Sequence, residues 1–150
     1  MMSAGYPHFT HLLGLKCAEE AIGEGRRAVA REHLAAGFGA AVRDAEARLR
    51  TSYEEATRSY DTDMYVHVVR GAADIETLEF SAATLRAKVS ARCGREVRQN
   101  ELNNHFRRLV GEQEQRILHR VSQGIYRFSD PRMRSYVRMC ERAEQSTGGR

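Results

Sequence analysis

Arg98, Gln99, Asn103 and Arg107 lie in one short run, Val97-Arg-Gln-Asn-Glu-Leu-Asn-Asn-His-Phe-Arg-Arg-Leu-Val110. All four are residue types that read base edges. In the major groove of a duplex, arginine pairs bidentately with guanine, and asparagine or glutamine with adenine. Further on, Arg120, Arg127, Arg132 and Arg134 have the charge and forked geometry that hold phosphate oxygens. Glu101 sits among the base-reading types and dilutes the pattern. The plainer reading is a solvated helix face, because charged and amide residues populate any exposed helix.

Other chemistries lack their residue sets. A phosphate-cradling nucleotide loop ends in Gly-Lys-Ser or Gly-Lys-Thr, and the chain has only Lys16 and Lys88, neither after a glycine. No nucleotide-hydrolysing core, and so no ATP cofactor, is expected in this chain. His8 and His11 lie three apart without a nearby cysteine or carboxylate to complete a metal shell, so no metal site is expected. Cys17, Cys93 and Cys140 are widely spaced and form no Cys-x-x-Cys pair, which points to reduced thiols. No Gly-x-Ser-x-Gly or comparable nucleophile motif occurs, and no enzymatic activity is expected.

With 41% hydrophobic and 29% charged residues, the 150-residue chain has the composition of a globular protein and not of a disordered one. No run approaches the roughly 18 apolar residues of a membrane helix, and the N-terminus lacks the pattern of a signal peptide. The expected compartment is therefore the cytoplasm, with no membrane partner. The net charge of +4 is uneven. Residues 1–75 hold nine Lys or Arg against eleven Asp or Glu, while residues 76–150 hold fifteen against nine, so the second half carries +6. A polyanion-binding module would be charged in this way. All but two of the 24 basic residues are arginine, a bias that a GC-rich coding sequence would also produce.

The elements that position these residues follow from period and punctuation. Phe9, Leu12, Leu13, Leu15, Ala18, Ala21 and Ile22 predict a helix over about 7–22, stopped by Gly23 and Gly25. Leu34, Phe38, Ala41, Val42, Ala45, Leu49, Tyr53, Ala56 and Tyr60 predict one long helix. Gly37 and Gly39 mark close packing or a break within it. Residues 59–63 form a polar joint. A helix over 64–73 follows, then a connector, then a helix from an Ser81 cap to about Ala91 that buries Leu85 and Val89 and ends near Cys93-Gly94. In the next helix, Leu102, Phe106, Leu109 and Val110 share the inward face. Arg116 to Pro131 reads as a β-hairpin around Ser122-Gln123-Gly124, with Pro131 opening a last helix capped by Ser129 or Asp130.

Helix, short turn, helix, hairpin is the order of a winged helix-turn-helix. The run from Asp63-Met-Tyr-Val-His-Val-Val-Arg-Gly-Ala-Ala through Asn104-His-Phe-Arg-Arg-Leu to Gly124-Ile-Tyr-Arg-Phe-Ser-Asp-Pro resembles the C-terminal winged helix of AAA+ and STAND-type ATPases, in particular the origin-recognition-like branch. Gly5-Tyr-Pro-His-Phe-Thr-His-Leu-Leu-Gly-Leu resembles the start of their helical lid. The resemblance implies that Gly5 and Pro7 lie beside a nucleotide held by a core in a full-length parent. Pro7 is equally an ordinary helix starter.

The expected fold is mainly α: a lid-like helical segment over 1–59, a winged helix-turn-helix over 62–145 with one hairpin, and a frayed tail over 146–150. The expected function is non-enzymatic binding of duplex DNA. The alternative is a regulatory domain that docks on an AAA+ or STAND nucleotide-binding core or another protein. An apolar patch on the 97–110 helix would favour docking, and an arginine-lined surface reaching the hairpin would favour DNA.

Overall fold

The computed structural model describes residues 7–45, 47–111 and 116–147. It is mainly helical: α1 (Pro7–Gly23), α2 (Glu32–Asp44), α3 (Ala47–Thr57), α4 (Met64–Ala73), α5 (Ala82–Cys93), α6 (Gln99–Leu109) and α7 (Met133–Thr147). A small sheet joins β1 (Phe80–Ser81), β2 (Val110–Gly111), β3 (Leu118–Ser122) and β4 (Ile125–Phe128) in the order β1-β4-β3-β2. Among the described residues no helix is long and apolar enough to cross a membrane.

The chain divides into two compact units, one of residues 1–46 and 135–150 and the other of residues 47–134. The polar joint at 59–63 therefore falls inside the second unit, and most of α7 belongs with the N-terminal helices.

In the first unit α1 packs along α2. Gly37 allows this, since a Cβ there would overlap the Cys17 sulfur and come within 3.2 Å of the Cys17 backbone nitrogen. His33 is buried. Its Nδ1 accepts from the Ala30 N–H (2.8 Å), so Nε2 carries the proton and donates to Glu24 (3.2 Å). Lys16 bridges Glu19 at 2.8 Å and Asp44 at 2.6 Å.

Two expectations for this region are corrected. The single long helix is two, α2 and α3, separated at Ala45, whose ψ of 153° turns the chain; neither glycine makes the break. The buried stripe in α2 also runs one residue earlier than expected, through His33, Gly37 and Ala41, leaving Leu34 40% exposed. The small Gly37 and Ala41 admit α1 where Leu34 and Phe38 would have held it off. Leu15, Ile22 and Tyr60, counted among the apolar positions of their helices, are exposed.

In the second unit, α4 packs on α5 with Gly71 against Val89, where a Cβ would lie 3.1 Å from Val89 Cγ2. Ser81 caps α5, accepting the Thr84 N–H at 3.0 Å, and Gly94 ends it with φ 64°. Arg92 forks onto Asp74 at the end of α4 (2.6 and 2.8 Å). Leu85, Val89, Val97, Leu102, Leu109 and Leu118 are buried to 1% exposure or less and make the core.

The hairpin forms around Gln123-Gly124, with Gly124 at φ 75° and Ser122 paired with Ile125. It is not an isolated pair: β1 lies antiparallel to β4, and β2 runs parallel to β3. The last helix begins at Met133, two residues later than expected, because Asp130 turns the chain first. Its carboxylate accepts the Arg132 N–H (2.9 Å) and its carbonyl the Met133 N–H (3.0 Å).

Candidate nucleic-acid interface

The helix α6 is amphipathic. Leu102, Phe106 and Leu109 are buried, while Arg98, Gln99, Asn100, Asn103, Asn104 and Arg107 are exposed. Phe106 packs against Tyr126 of β4 with ring centroids 4.8 Å apart, so the inner face of the hairpin supports the helix from behind. Behind its N-terminus, the Val97 N–H donates to Ser90 Oγ at 3.0 Å, which fixes the turn from α5.

Gln99, Asn103 and Arg107 are spaced four apart and stand in one row along the outside. From first to last the row rises about 12 Å at 1.5 Å per residue, comparable with the width of a major groove. Gln99 Nε2 donates to Asn103 Oδ1 (2.9 Å), which fixes both amides and leaves the Gln99 oxygen and the Asn103 amino group facing outward for further bonds. Glu101 does not stand as a bare negative charge in this row. The Arg95 guanidinium forks onto it at 2.6 and 3.1 Å and holds its carboxyl below the usual range.

Arg108, next to Arg107 in the sequence, does not join this row. It donates to the Glu55 and Arg58 carbonyls at 2.5 and 2.6 Å, at the C-terminal end of α3, and its guanidinium lies 4.5 Å from the centre of the Tyr65 ring. Tyr65 in turn meets His105 edge-on at 4.9 Å.

Arg120 and Arg127 are both exposed on the hairpin. Register separates them. Arg120 pairs with Tyr126, whose ring touches Phe106, so Arg120 is on the face toward α6. Arg127 pairs with His119 on the opposite face.

The two arginines after the hairpin are already engaged. Arg132 forks onto Asp130 at 3.2 and 2.9 Å. Arg134 corrects the sequence reading. It is buried at 7% exposure, donating to the Glu76 carbonyl at 3.0 Å and to the Thr77 carbonyl, so it holds the α4–β1 connector and does not face a ligand in solvent. At the other end of the chain Pro7 is the exposed first residue of α1, and Gly5 lies outside the described residues.

Counted by unit, the asymmetry is half that between the two halves of the sequence and keeps its sign. Residues 47–134 hold sixteen Lys or Arg against twelve Asp or Glu, whereas the other unit holds eight of each. The whole net charge of +4 thus belongs to the unit that carries α6 and the hairpin. Among the described residues no group of three or more His, Cys, Asp or Glu could hold a metal ion.

Compared with protein-family models, curated proteins and solved structures, the chain matches none.

Proposed function

We propose that the unit of residues 47–134 is a winged helix-turn-helix that binds duplex DNA, with α6 in the major groove and the β3–β4 hairpin as its wing. The order α4, β1, α5, α6, β2, β3, β4, in which β2 is only two residues long, supports this, as does β1 lying against the hairpin. The observation that carries the reading is the outer face of α6. Every exposed residue on it is an arginine, a glutamine or an asparagine, supported from behind by Leu102, Phe106 and Leu109.

Gln99 and Asn103 then read base edges, Arg98 and Arg107 contact bases or the flanking phosphates, and Arg120 holds phosphate beside the helix. A docking helix would present large apolar side chains, and this face has none. The chain acts by binding and not by catalysis. The resemblance to AAA+ and STAND-type ATPases implies a nucleotide-binding core as its protein partner.

Selecting the preferred duplex from a randomised pool, then measuring Asn103→Ala on it and on an unrelated duplex, tests the assignment. A loss of about 1 to 3 kcal/mol on the preferred duplex and little on the other is expected for a base contact. Equal losses on both would remove Asn103 from base readout. Selection that enriches no sequence would remove α6 as a reading helix.

A further inference from the structure

We propose that α6 selects duplexes in which an A·T pair is followed, about two to three base pairs on, by a G·C pair. Gln99 and Asn103 read the first together, as one unit, and Arg107 reads the second. The assignment rests on the DNA reading above and adds to it the sequence that the helix prefers.

The bond between the two amides sets the first position. Gln99 and Asn103 are both exposed, and Gln99 Nε2 donates to Asn103 Oδ1 at 2.9 Å. With that bond made, the pair offers the Gln99 oxygen as an acceptor and the Asn103 amino group as a donor. If both amides are turned over, Asn103 donates to Gln99 instead, and the pair still offers one donor and one acceptor.

Adenine is the one base whose major-groove edge presents both kinds of group at once, N7 as an acceptor and the N6 amino group as a donor. Guanine presents N7 and O6, both acceptors. Over guanine the acceptor end of the amide pair would face another acceptor, and a desolvated group left without its bond costs more than a neutral hydrogen bond contributes. Cytosine offers its N4 amino group, which glutamate accepts. The glutamate of this helix is already taken up, because the Arg95 guanidinium forks onto Glu101 at 2.6 and 3.1 Å.

Arg107 sets the second position. It stands one turn beyond Asn103 in the same exposed row, and the two acceptors of guanine suit the fork of a guanidinium. Arg108 does not compete with it, being held on the Glu55 and Arg58 carbonyls. Arg107 lies six residues beyond the midpoint of Gln99 and Asn103. At 1.5 Å per residue that is about 9 Å, or roughly two to three base pairs at 3.4 Å each for a helix lying along the groove. Leu102, Phe106 and Leu109, buried behind the row, hold the spacing.

The test is selection of duplexes from a randomised pool by the full chain, run in parallel for Gln99→Ala, Asn103→Ala and Arg107→Ala. All three side chains are exposed, so their loss should leave the fold intact. The wild type should enrich an A·T and a G·C pair at this separation. Arg107→Ala should lose preference at the G·C position alone, and the amide variants at the A·T position alone.

Anisotropy titrations on the selected duplex then read the size of each effect. Exchanging the A·T pair for G·C should weaken wild-type binding about fivefold to 150-fold. Putting 7-deazaadenine, which lacks the N7 acceptor, or purine, which lacks the amino group, in place of the adenine should each weaken it about threefold to tenfold. Because each amide holds the other, either single replacement should remove nearly as much discrimination as both together, whereas independent contacts would add. Additive losses would overturn the paired unit, equal tolerance of G·C would overturn the A·T assignment, and an unaltered profile for Arg107→Ala would overturn the second position. A chain that binds duplexes but enriches no such pair of positions defeats this assignment alone, whereas one that binds no duplex at low salt defeats the DNA reading itself.

Discussion

Phe106 is the residue on which the orientation of α6 turns. It is buried against Tyr126, and Phe106→Ala should cost about 3 to 5 kcal/mol in urea unfolding, as large buried aromatic truncations do. A loss below about 1 kcal/mol would mean that the other face of α6 is inside. Gly37 sets two effects against each other. Alanine has the better helix propensity by about 1 kcal/mol, yet its methyl group would overlap the Cys17 sulfur, and such overpacking costs about 1 to 3 kcal/mol. Gly37→Ala should therefore lower Tm, and a rise would show that α1 and α2 are not in close contact there. Asp130 has a depressed carboxyl pKa, so its contribution is present above the unfolded value near 3.8 and is lost as pH falls through the folded value. The stability gap between wild type and Asp130→Asn should be full at pH 7 and close below about pH 4, and a gap that persisted in acid would contradict the Arg132 pairing. Local residue roles were legible in the sequence: Ser81 as a cap, Gly94 and Gly124 at positive φ, and Phe106 inside all follow from neighbours a few positions away. Arg108 and Arg134 were not legible, because their carbonyl partners lie 53 and 58 residues off along the chain.

At the scale of elements, helices and hairpin follow from period and turn chemistry, whereas bends and strand pairings depend on contacts that no local pattern encodes. The buried positions Ala41, Ala45, Leu49 and Tyr53 keep a spacing of four across the bend at Ala45, so apolar period alone reads α2 and α3 as one helix. β1 and β2 are two residues each and exist through pairing with the hairpin, leaving no strand-length alternation to detect. Register matters most for function in β3 and β4. Arg120 and Arg127 look equivalent in the sequence, but their pairing puts them on opposite faces, with Arg120 toward α6. For a duplex seated against α6, Arg120→Ala should reduce the salt slope of binding by about one, and Arg127→Ala should change it little. Equal reductions in the two variants, measured by anisotropy titration at several salt concentrations, would mean that the hairpin meets phosphate at its tip and not on one face.

At the scale of the molecule, the second half of the sequence carries +6, and by compact unit residues 47–134 carry +4 against zero for the rest. The division into units escaped sequence reading, since most of α7 joins the N-terminal helices from the far end of the chain. The central claim is that this charged unit presents α6 to duplex DNA. Fluorescence anisotropy of a labelled duplex, titrated with the full chain from low to moderate salt, measures it most directly. If about four phosphates are neutralised, log K should fall linearly with log salt at a slope near −3.6, from roughly −0.9 per phosphate. Absence of binding even at low ionic strength, where attraction between the unit and a polyanion is least screened, would contradict the account.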